Sequence, residues 1–421
     1  MRVTGTYLRQ LLRGLAVTVL ATCALVIASA AEPAKVGFSM SLTGGVAPNG
    51  KQMLVALEIW RDNVNAQGGL LGRPVELVYY DDQSNPATVP AIYQKLLSVD
   101  KVDLLIGPYA TNMVASAMPA VIAAKKTTIS LLAIGVNEHF NYPKYFSMVP
   151  AGPDGIKAFS QGYFEIAAAQ SPKPKTVAIV AADAEFAKTS ADGARANAKA
   201  SGFNIIYDKS YPPTTVDFAP VIRAVQAANP DIVFVAAYPP DTVGIVRAAN
   251  EIGFKPKMFG GTMIGLLVTP LRVQLGPLMN GMVIMEVFVP APNFAFPGLK
   301  QVLDEYRVRA ASQKIDPYGY GFVPFGYAAG QILAQAVNET KSFDHELLAK
   351  HIRSRSFNTV AGDVRFGADG EWAESRMLFT QFRGVSPNNV EQFKELSSQV
   401  IVWPEKHATG KLTYPYADAK R

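Results

Sequence analysis

Short apolar runs alternate with segments of helical periodicity along most of this chain, and this alternation constrains the fold more than any other feature. Lys35–Leu42 has the composition of a strand and ends in a Gly-Gly turn, and Gly50–Asn65 then places apolar residues at helical spacing. The same pair of patterns recurs in Pro74–Tyr80 and Pro86–Val99. Apolar runs between helices are typical of parallel strands covered on both faces. The sequence therefore predicts the α/β fold class.

The alternation restarts after the break Val149–Pro153, which contains two prolines and a glycine. Strand-like and helix-like runs then follow one another as far as Ile252, where Gly253 ends a helix. Because single cores stop growing at about 250–300 residues, two such units in a chain of 421 residues predict two α/β lobes. The last third of the chain is less regular and contains two further helices and a strand-rich tail.

The first 30 residues have the layout of a secretory signal peptide. Three arginines precede the apolar run Leu15–Ile27, and the small residues Ala28–Ala30 follow it. We expect cleavage after Ala30, give or take a residue. An uncleaved membrane anchor is the alternative, and it is disfavoured because the run is shorter than the ~20 residues that span a bilayer. No later apolar run reaches that length, so no membrane insertion of the mature chain is expected.

The composition argues against several kinds of site. Without the three arginines of the signal peptide the formal net charge falls from +6 to +3, and no basic stripe remains, so nucleic-acid binding is not expected. The only cysteine, Cys23, lies in the signal peptide, where lipidation is a disfavoured alternative because Thr22 precedes it. The four histidines lack metal-ligand spacing, and no phosphate-binding loop, dinucleotide fingerprint or nucleophile elbow occurs. No metal, cofactor or catalytic residue is therefore predicted.

The most informative segment is the end of the apolar run Val102–Ile106. A Gly-Pro turn follows this run, and Tyr109–Asn112 then begins a helix. In open parallel sheets, ligands bind at the carboxyl ends of strands, beside the helix N-termini. Thr111 fits two interpretations: a plain helix cap, or a residue beside free amides that bind an anion. The ligand role is favoured.

Several segments, weak one by one, form a specific series when their order and spacing are considered together. They are Val36–Gly44, Asn65–Leu77, Asp81–Pro86, Gly107–Thr111, Pro230–Phe234, Asn250–Phe254, Phe259–Gly261, Thr359–Phe366 and Asp369–Glu371. The series resembles the branched-chain amino-acid (leucine/isoleucine/valine-binding) family of type I periplasmic solute-binding proteins of ABC transporters. The resemblance covers nearly the whole chain after the signal peptide.

The resemblance implies two Rossmann-like lobes with parallel central sheets, which are joined by three crossover strands and close over a ligand by hinge motion. It places the crossovers near Ser147–Gly152, Val287–Pro290 and Ala361–Phe366. After the signal peptide (residues 1–30), the predicted domains are an N-terminal lobe of residues 33–148 and 288–362, a C-terminal lobe of residues 149–287 and 363–405, and a C-terminal tail of residues 406–421.

The resemblance also implies which residues bind the ligand, all of them on loops at strand ends or close to them. They are Asn49, Tyr109, Ala110, Thr111, Leu132, Ala133 and Ile134 in the first lobe, and Phe186, Tyr238, Thr262 and Met263 in the second. Amino-acid binders of the family usually carry a hydroxyl at the position of Ile134 and an acidic residue near Thr262 and Met263. Because a buried ammonium without such partners loses several kcal/mol of solvation, the ligand favoured here is a carboxylate with an apolar or aromatic body.

The function that the resemblance implies is that of an extracytoplasmic substrate-binding component of an ABC importer. Such a protein captures a small organic solute in the periplasm and delivers it to a membrane permease, and the family is expected to be monomeric. A ligand-sensing receptor that regulates a signalling partner is one alternative. A periplasmic enzyme on the same fold is a second alternative, which is disfavoured because no acid–base pair can be assembled from the sequence.

Overall fold

Two separate β-sheets, each packed against helices, form the frame of the computed structural model, which describes residues 31–420. The predicted signal peptide and Cys23 lie outside the described residues. The mixed α/β architecture, with two central sheets whose strands are mostly parallel, confirms the predicted fold class.

The first sheet contains five parallel strands from the start of the chain. These are β1 (Ala34–Met40), β2 (Val75–Asp81), β3 (Leu104–Tyr109), β4 (Thr128–Leu131) and β5 (Tyr145–Ser147), and they lie in the order β2–β1–β3–β4–β5. The intervening helices are α1 (Ala47–Ala66), α2 (Val89–Ser98), α3 (Thr111–Ala123) and α4 (Val136–Phe140). β3 and β4 are buried along their whole length, as their apolar sequences require.

The second sheet repeats this βα pattern with five further strands that are parallel to one another. These are β6 (Thr176–Ala182), β7 (Asn204–Tyr211), β8 (Ile232–Ala237), β9 (Met258–Met263) and β10 (Val283–Glu286). The accompanying helices are α5 (Gly155–Ala168), α6 (Glu185–Ala200), α7 (Ala219–Ala228), α8 (Pro239–Glu251) and α9 (Thr269–Leu275).

After β10 the chain returns to the first sheet. It forms α10 (Leu299–Gln313), α11 (Val323–Thr340), α12 (His345–Ser354) and the antiparallel hairpin β11 (Ser356–Thr359) and β12 (Gly362–Arg365). α10 and α11 both pack against α1, and an ion pair of 2.8 Å between Arg309 Nη2 and Asp62 Oδ2 joins α10 to α1. The first lobe is therefore completed by the last third of the chain.

The chain finally rejoins the second sheet as β13 (Leu378–Phe382) and β14 (Gln399–Trp403). β13 is antiparallel to β10 and β14 is antiparallel to β13, so this sheet has the order β14–β13–β10–β9–β8–β6–β7. Residues beyond β14, which were predicted as a tail, pack on the same lobe. Tyr416 is buried, and its ring centroid lies 5.8 Å from that of Phe259. The amide of Tyr416 donates to Lys257 O at 2.8 Å.

The chain crosses between the two sheets three times, in residues 148–154, 287–298 and 366–377. The first two segments agree with the predicted crossovers. The third differs from the predicted span Ala361–Phe366, because Gly362–Arg365 forms β12 and folds back on β11. Gly362 permits this return with a φ of 83°. The domain boundaries that follow from these segments stay a prediction.

No helix within residues 31–420 combines the length and the hydropathy that crossing a membrane requires.

Candidate functional site

A cavity lies where strand ends from both sheets meet, the position at which open parallel sheets bind ligands. Its empty volume is about 440 Å³, which includes the open space at the mouth. The lining residues carry no charge. They are Tyr109, Ala110, Thr111, Leu132, Val149, Phe159, Phe186, Tyr238, Ile264, Leu267, Met285, Val287 and Phe322.

The first-lobe wall contains the start of α3. Ala110, which precedes this helix, has φ 81° and ψ 146°, a backbone conformation that residues with a side chain rarely adopt. The Thr111 hydroxyl accepts from Ile134 N at 3.2 Å and makes no capping bond to α3. The plain-cap interpretation of Thr111 is therefore wrong, and the first amides of α3, which have no partner within the helix, remain uncapped by a side chain beside the cavity.

A polar pair supports the same wall. Asn49 Nδ2 donates to the Tyr109 hydroxyl at 2.7 Å, and Asn49 is 0% exposed. Burial raises the pKa of the Tyr109 phenol well above its usual value, although the hydrogen bond from Asn49 opposes this rise. The Tyr109 hydroxyl is therefore neutral at physiological pH. Because it accepts the bond from Asn49, its own hydrogen is available to form a hydrogen bond to a ligand. Asn49 Oδ1 is buried and has no hydrogen-bond partner in the described part of the chain.

The second-lobe wall is mainly aromatic. Phe186 packs edge-on against Tyr238 and Phe159, with ring centroids 5.7 Å and 6.2 Å away. Burial raises the pKa of Tyr238 well above its usual value, and negative charge at Glu185 contributes to this rise. The Tyr238 hydroxyl is buried and finds no acceptor for its proton among residues 31–420. A neutral hydroxyl thus stands within an otherwise apolar surface.

The structure brings six of the predicted binding residues together in the cavity: Tyr109, Ala110, Thr111, Leu132, Phe186 and Tyr238. Asn49 joins them through its hydrogen bond to Tyr109. Ala133, Ile134, Thr262 and Met263 are buried but do not line it. Thr262 lies instead against α6, where its hydroxyl is 2.6 Å from that of Ser190, and Ala133 O accepts from the Ser147 hydroxyl at 3.2 Å. Ligand contact by these four residues stays a prediction.

A family model described as periplasmic binding protein matches residues 33–386. The chain belongs to this family. Leu/Ile/Val-binding protein homolog 8 of Brucella abortus (strain 2308) is 25% identical over 405 residues, which cover 92% of this chain and 95% of that protein. The family-model match and this relative together support the predicted resemblance to the leucine/isoleucine/valine-binding proteins.

Solved structures of solute-binding proteins share the fold of this periplasmic binding protein. A branched-chain amino-acid transporter substrate-binding protein from Streptococcus pneumoniae, in complex with isoleucine, has a TM-score of 0.70 at 18% identity and covers 91% of this chain and 100% of its own. An ABC transporter solute-binding protein from R. palustris, in complex with 4-hydroxybenzoate, has a TM-score of 0.71 at 18% identity, with 91% and 98% covered.

Sequence reasoning missed seven lining residues of this periplasmic binding protein. Val149 and Val287 belong to the first two crossovers, so the predicted hinge segments could have indicated them as the floor of the cleft. Phe322 stands 5.7 Å from Tyr109 between ring centroids, although a long stretch of chain separates them. No local pattern marks Phe322. The remaining four lining residues that were not predicted are Phe159, Ile264, Leu267 and Met285.

A buried ion pair supports the second-lobe wall of this periplasmic binding protein from behind. Arg272 Nη2 lies 2.6 Å from Glu286 Oε1, and Arg272 Nε donates to Leu266 O in the segment that lines the cavity. Burial raises the pKa of Glu286 to about 7, although Arg272 opposes this rise. Neither side chain lines the cavity, so the pair supports the wall and does not face the ligand space.

A larger groove, with a volume of about 1180 Å³ including its mouth, runs along the second crossover and α10. Phe288, Phe294, Leu303, Tyr320 and Leu396 are among its walls. It contains none of the predicted binding residues and no end of a parallel strand. We therefore take the smaller cavity between the sheets as the candidate functional site of this periplasmic binding protein.

Proposed function

We propose that this chain is the solute receptor of an ABC importer and that it captures a carboxylate with an apolar or aromatic body between its two lobes. The observation that carries the proposal is the chemistry of the cavity wall, in which uncharged and mostly apolar side chains surround the uncapped start of α3.

The start of α3 suits the carboxylate. Free amides and the helix dipole together favour an anion at this position, and α3 has 13 residues over which the dipole can build up. The neutral hydroxyls of Tyr109 and Tyr238 add two donors. A carboxylate oxygen accepts hydrogen bonds from all of these groups.

The rest of the wall suits an apolar or aromatic body. Phe159, Phe186 and Phe322 present ring surfaces, and aromatic pairs add about 0.5–1.5 kcal/mol beyond the area that they bury. An α-ammonium group would find no acidic partner among the lining residues and would lose solvation on burial. The neighbour in complex with 4-hydroxybenzoate supports this ligand class, whereas the neighbour in complex with isoleucine supports an amino acid.

The two lobes contact each other beside the cavity. α3 of the first lobe contacts α6 of the second, and both helices begin beside the cavity. A ligand stabilises this arrangement only through contacts that it makes to both lobes at once. Capture by closure followed by transfer to a membrane permease needs no acid–base pair, metal or cofactor.

Calorimetry tests the ligand class. The chain without residues 1–30 is titrated with 4-hydroxybenzoate, benzoate, leucine and isoleucine, and unfolding temperatures are measured with the same compounds. We expect an aromatic acid to bind, with a stabilisation of about 2.7 kcal/mol at a hundred times its Kd. Tight binding of leucine without a response to either aromatic acid would contradict the proposal. The absence of binding by all four compounds would also contradict it.

A further inference from the structure

A carboxylate of the first lobe is bound to a main-chain amide of the second lobe. Asp316 follows α10, the helix that Arg309 ties to α1 of the first lobe. Asp316 Oδ2 accepts from Thr269 N at 2.5 Å, and Thr269 is the first residue of α9, which packs against α8 of the second lobe. The bond therefore crosses between the lobes.

The Asp316 side chain is held rigidly in its own segment. Its other oxygen, Oδ1, accepts from Tyr318 N at 2.8 Å and from Gly319 N at 3.0 Å, and Asp316 is 3% exposed. Gly319 has φ 65°, and a Cβ there would lie 2.4 Å from the Val323 side chain, so only glycine fits this turn. The carboxylate is thus fixed within its own segment by bonds to two amides.

Both ends of this bond lead directly into the cavity wall. Ile264 and Leu267 line the cavity in the segment that ends at Thr269, and Phe322 lines it in the segment that begins at Asp316. A second bond crosses nearby, from the Tyr320 hydroxyl to Lys394 O at 2.7 Å. A displacement at Asp316 would therefore change the distance between Leu267 and Phe322 across the cavity.

We propose that Asp316 is a positioning residue for solute binding: its bond to Thr269 aligns the two walls and holds the closed arrangement. The inference rests on the proposed function, in that the solute is held in this cavity. Because the bond exists only when the two lobes are in register, its loss accelerates solute release more than it slows capture.

A double-mutant cycle tests this inference. Asp316→Asn removes the charge, and Thr269→Pro removes the amide donor. Proline is tolerated at a first helical position, and Val268 has the extended conformation that proline requires before it (φ −108°, ψ 116°). We expect each substitution to raise the dissociation rate of 4-hydroxybenzoate about tenfold, with the association rate changed less than threefold.

The double variant should release the probe at about the rate of either single variant, because both changes remove one interaction. A multiplicative effect, about a hundredfold, would overturn the inference. Asp344→Asn is the matched control, since Asp344 accepts from Glu346 N and Leu347 N at the start of α12 within the first lobe. It should lower stability without changing the dissociation rate, and an equal rise in that rate would also overturn the inference.

Hydrogen exchange of the Thr269 amide gives a measurement that needs no solute. We expect the amide to exchange about tenfold faster in Asp316→Asn than in the parent chain, because its acceptor has been weakened. Equal exchange in the two proteins would overturn the inference even if the solute proposal holds. If neither 4-hydroxybenzoate nor leucine binds the parent, the solute proposal fails and the positioning role fails with it, while the exchange rate still shows whether Asp316 bonds to the second lobe.

Discussion

The two walls of the cavity differ in what holds them. The first-lobe wall combines the apolar side chains of Leu132 and Phe322 with polar groups fixed by hydrogen bonds beside the start of α3, namely Asn49 to Tyr109 and Ile134 to Thr111. The second-lobe wall is a set of aromatic and aliphatic side chains that pack edge-on, centred on Phe186. Only Tyr238 brings a polar atom to the second wall.

This difference separates two tasks in binding. Fixed hydrogen-bonding groups orient a solute, because their geometry is set before the solute arrives. An apolar wall supplies free energy through the area that it removes from water, and that area becomes available only when the second lobe closes. We therefore expect substitutions in the second wall to reduce affinity most. Substitutions in the first wall should instead change which polar groups of a solute are accepted.

The largest effect is expected from Phe186→Ala in the second wall. Truncation removes the ring that packs against Phe159 and Tyr238, so the affinity for the aromatic acid should fall by about a hundredfold, or about 3 kcal/mol, by calorimetry. Phe254→Ala is the control: Phe186 and Phe254 are each 7% exposed, but Phe254 packs against Phe259 away from the cavity. Equal affinities in the two variants would contradict the division between the walls.

A smaller effect, on stability, is expected from Glu371 at the hinge that joins the walls. Glu371 is buried, and its Oε1 has no hydrogen-bond partner in the described chain. Burial raises the pKa of Glu371 from about 4.5 to about 8. A hydrogen bond with Ser147 opposes this rise in pKa, whereas the negative charges of Asp369 and Glu138 increase it. The folded state thus binds more protons than the unfolded state between these values, and stability falls as pH rises through this window.

Glu371→Gln should remove this contribution. Urea unfolding at pH 5 and pH 8.5 should show the parent losing about 2 kcal/mol more than the variant over this range. The variant retains the other titrating groups, including Glu286, so the difference between the two proteins isolates Glu371. An identical pH dependence in both proteins would show that this carboxyl is ionised in the folded state.

The smallest effect is expected from Tyr109→Phe in the first wall. The change leaves Asn49 Nδ2 without its acceptor and removes one donor to the solute, so affinity should fall about fivefold and stability by about 1 kcal/mol. Tyr145→Phe is matched, since the Tyr145 hydroxyl accepts from Ser130 at 2.8 Å in the same lobe outside the cavity. Tyr145→Phe should lower stability without reducing affinity. If it reduced affinity as much as Tyr109→Phe does, Tyr109 would have no special role in binding.

The regular part of both lobes could be predicted from local patterns. The first strand, predicted over residues 35–42, is found at Ala34–Met40, and the helix predicted over residues 185–201 is found at Glu185–Ala200. The short strand β5 escaped prediction because three residues show no periodicity. β9 escaped because Gly260 and Gly261 interrupt its apolar run.

The candidate site could be predicted only in part, for a related reason. Tyr109 and Thr111 were found because a buried strand, a Gly-Pro turn and a helix start mark a strand end within a few residues of sequence. Leu267 and Phe322 follow no such marker. Whether Phe322 faces Leu267 across the cavity depends on how far the second crossover carries the chain back to the first lobe.

The sequence by itself determined the α/β class, the two lobes and several of the strand-end loops that line the cavity, because strand and helix periodicities are properties of neighbouring residues. The tertiary structure alone decided which side chains face one another across the cavity. Tyr109 meets Phe322, and Asp316 meets Thr269, only after two crossovers have brought distant segments together. The physical reason is that packing between lobes is set by contacts whose partners are far apart along the chain.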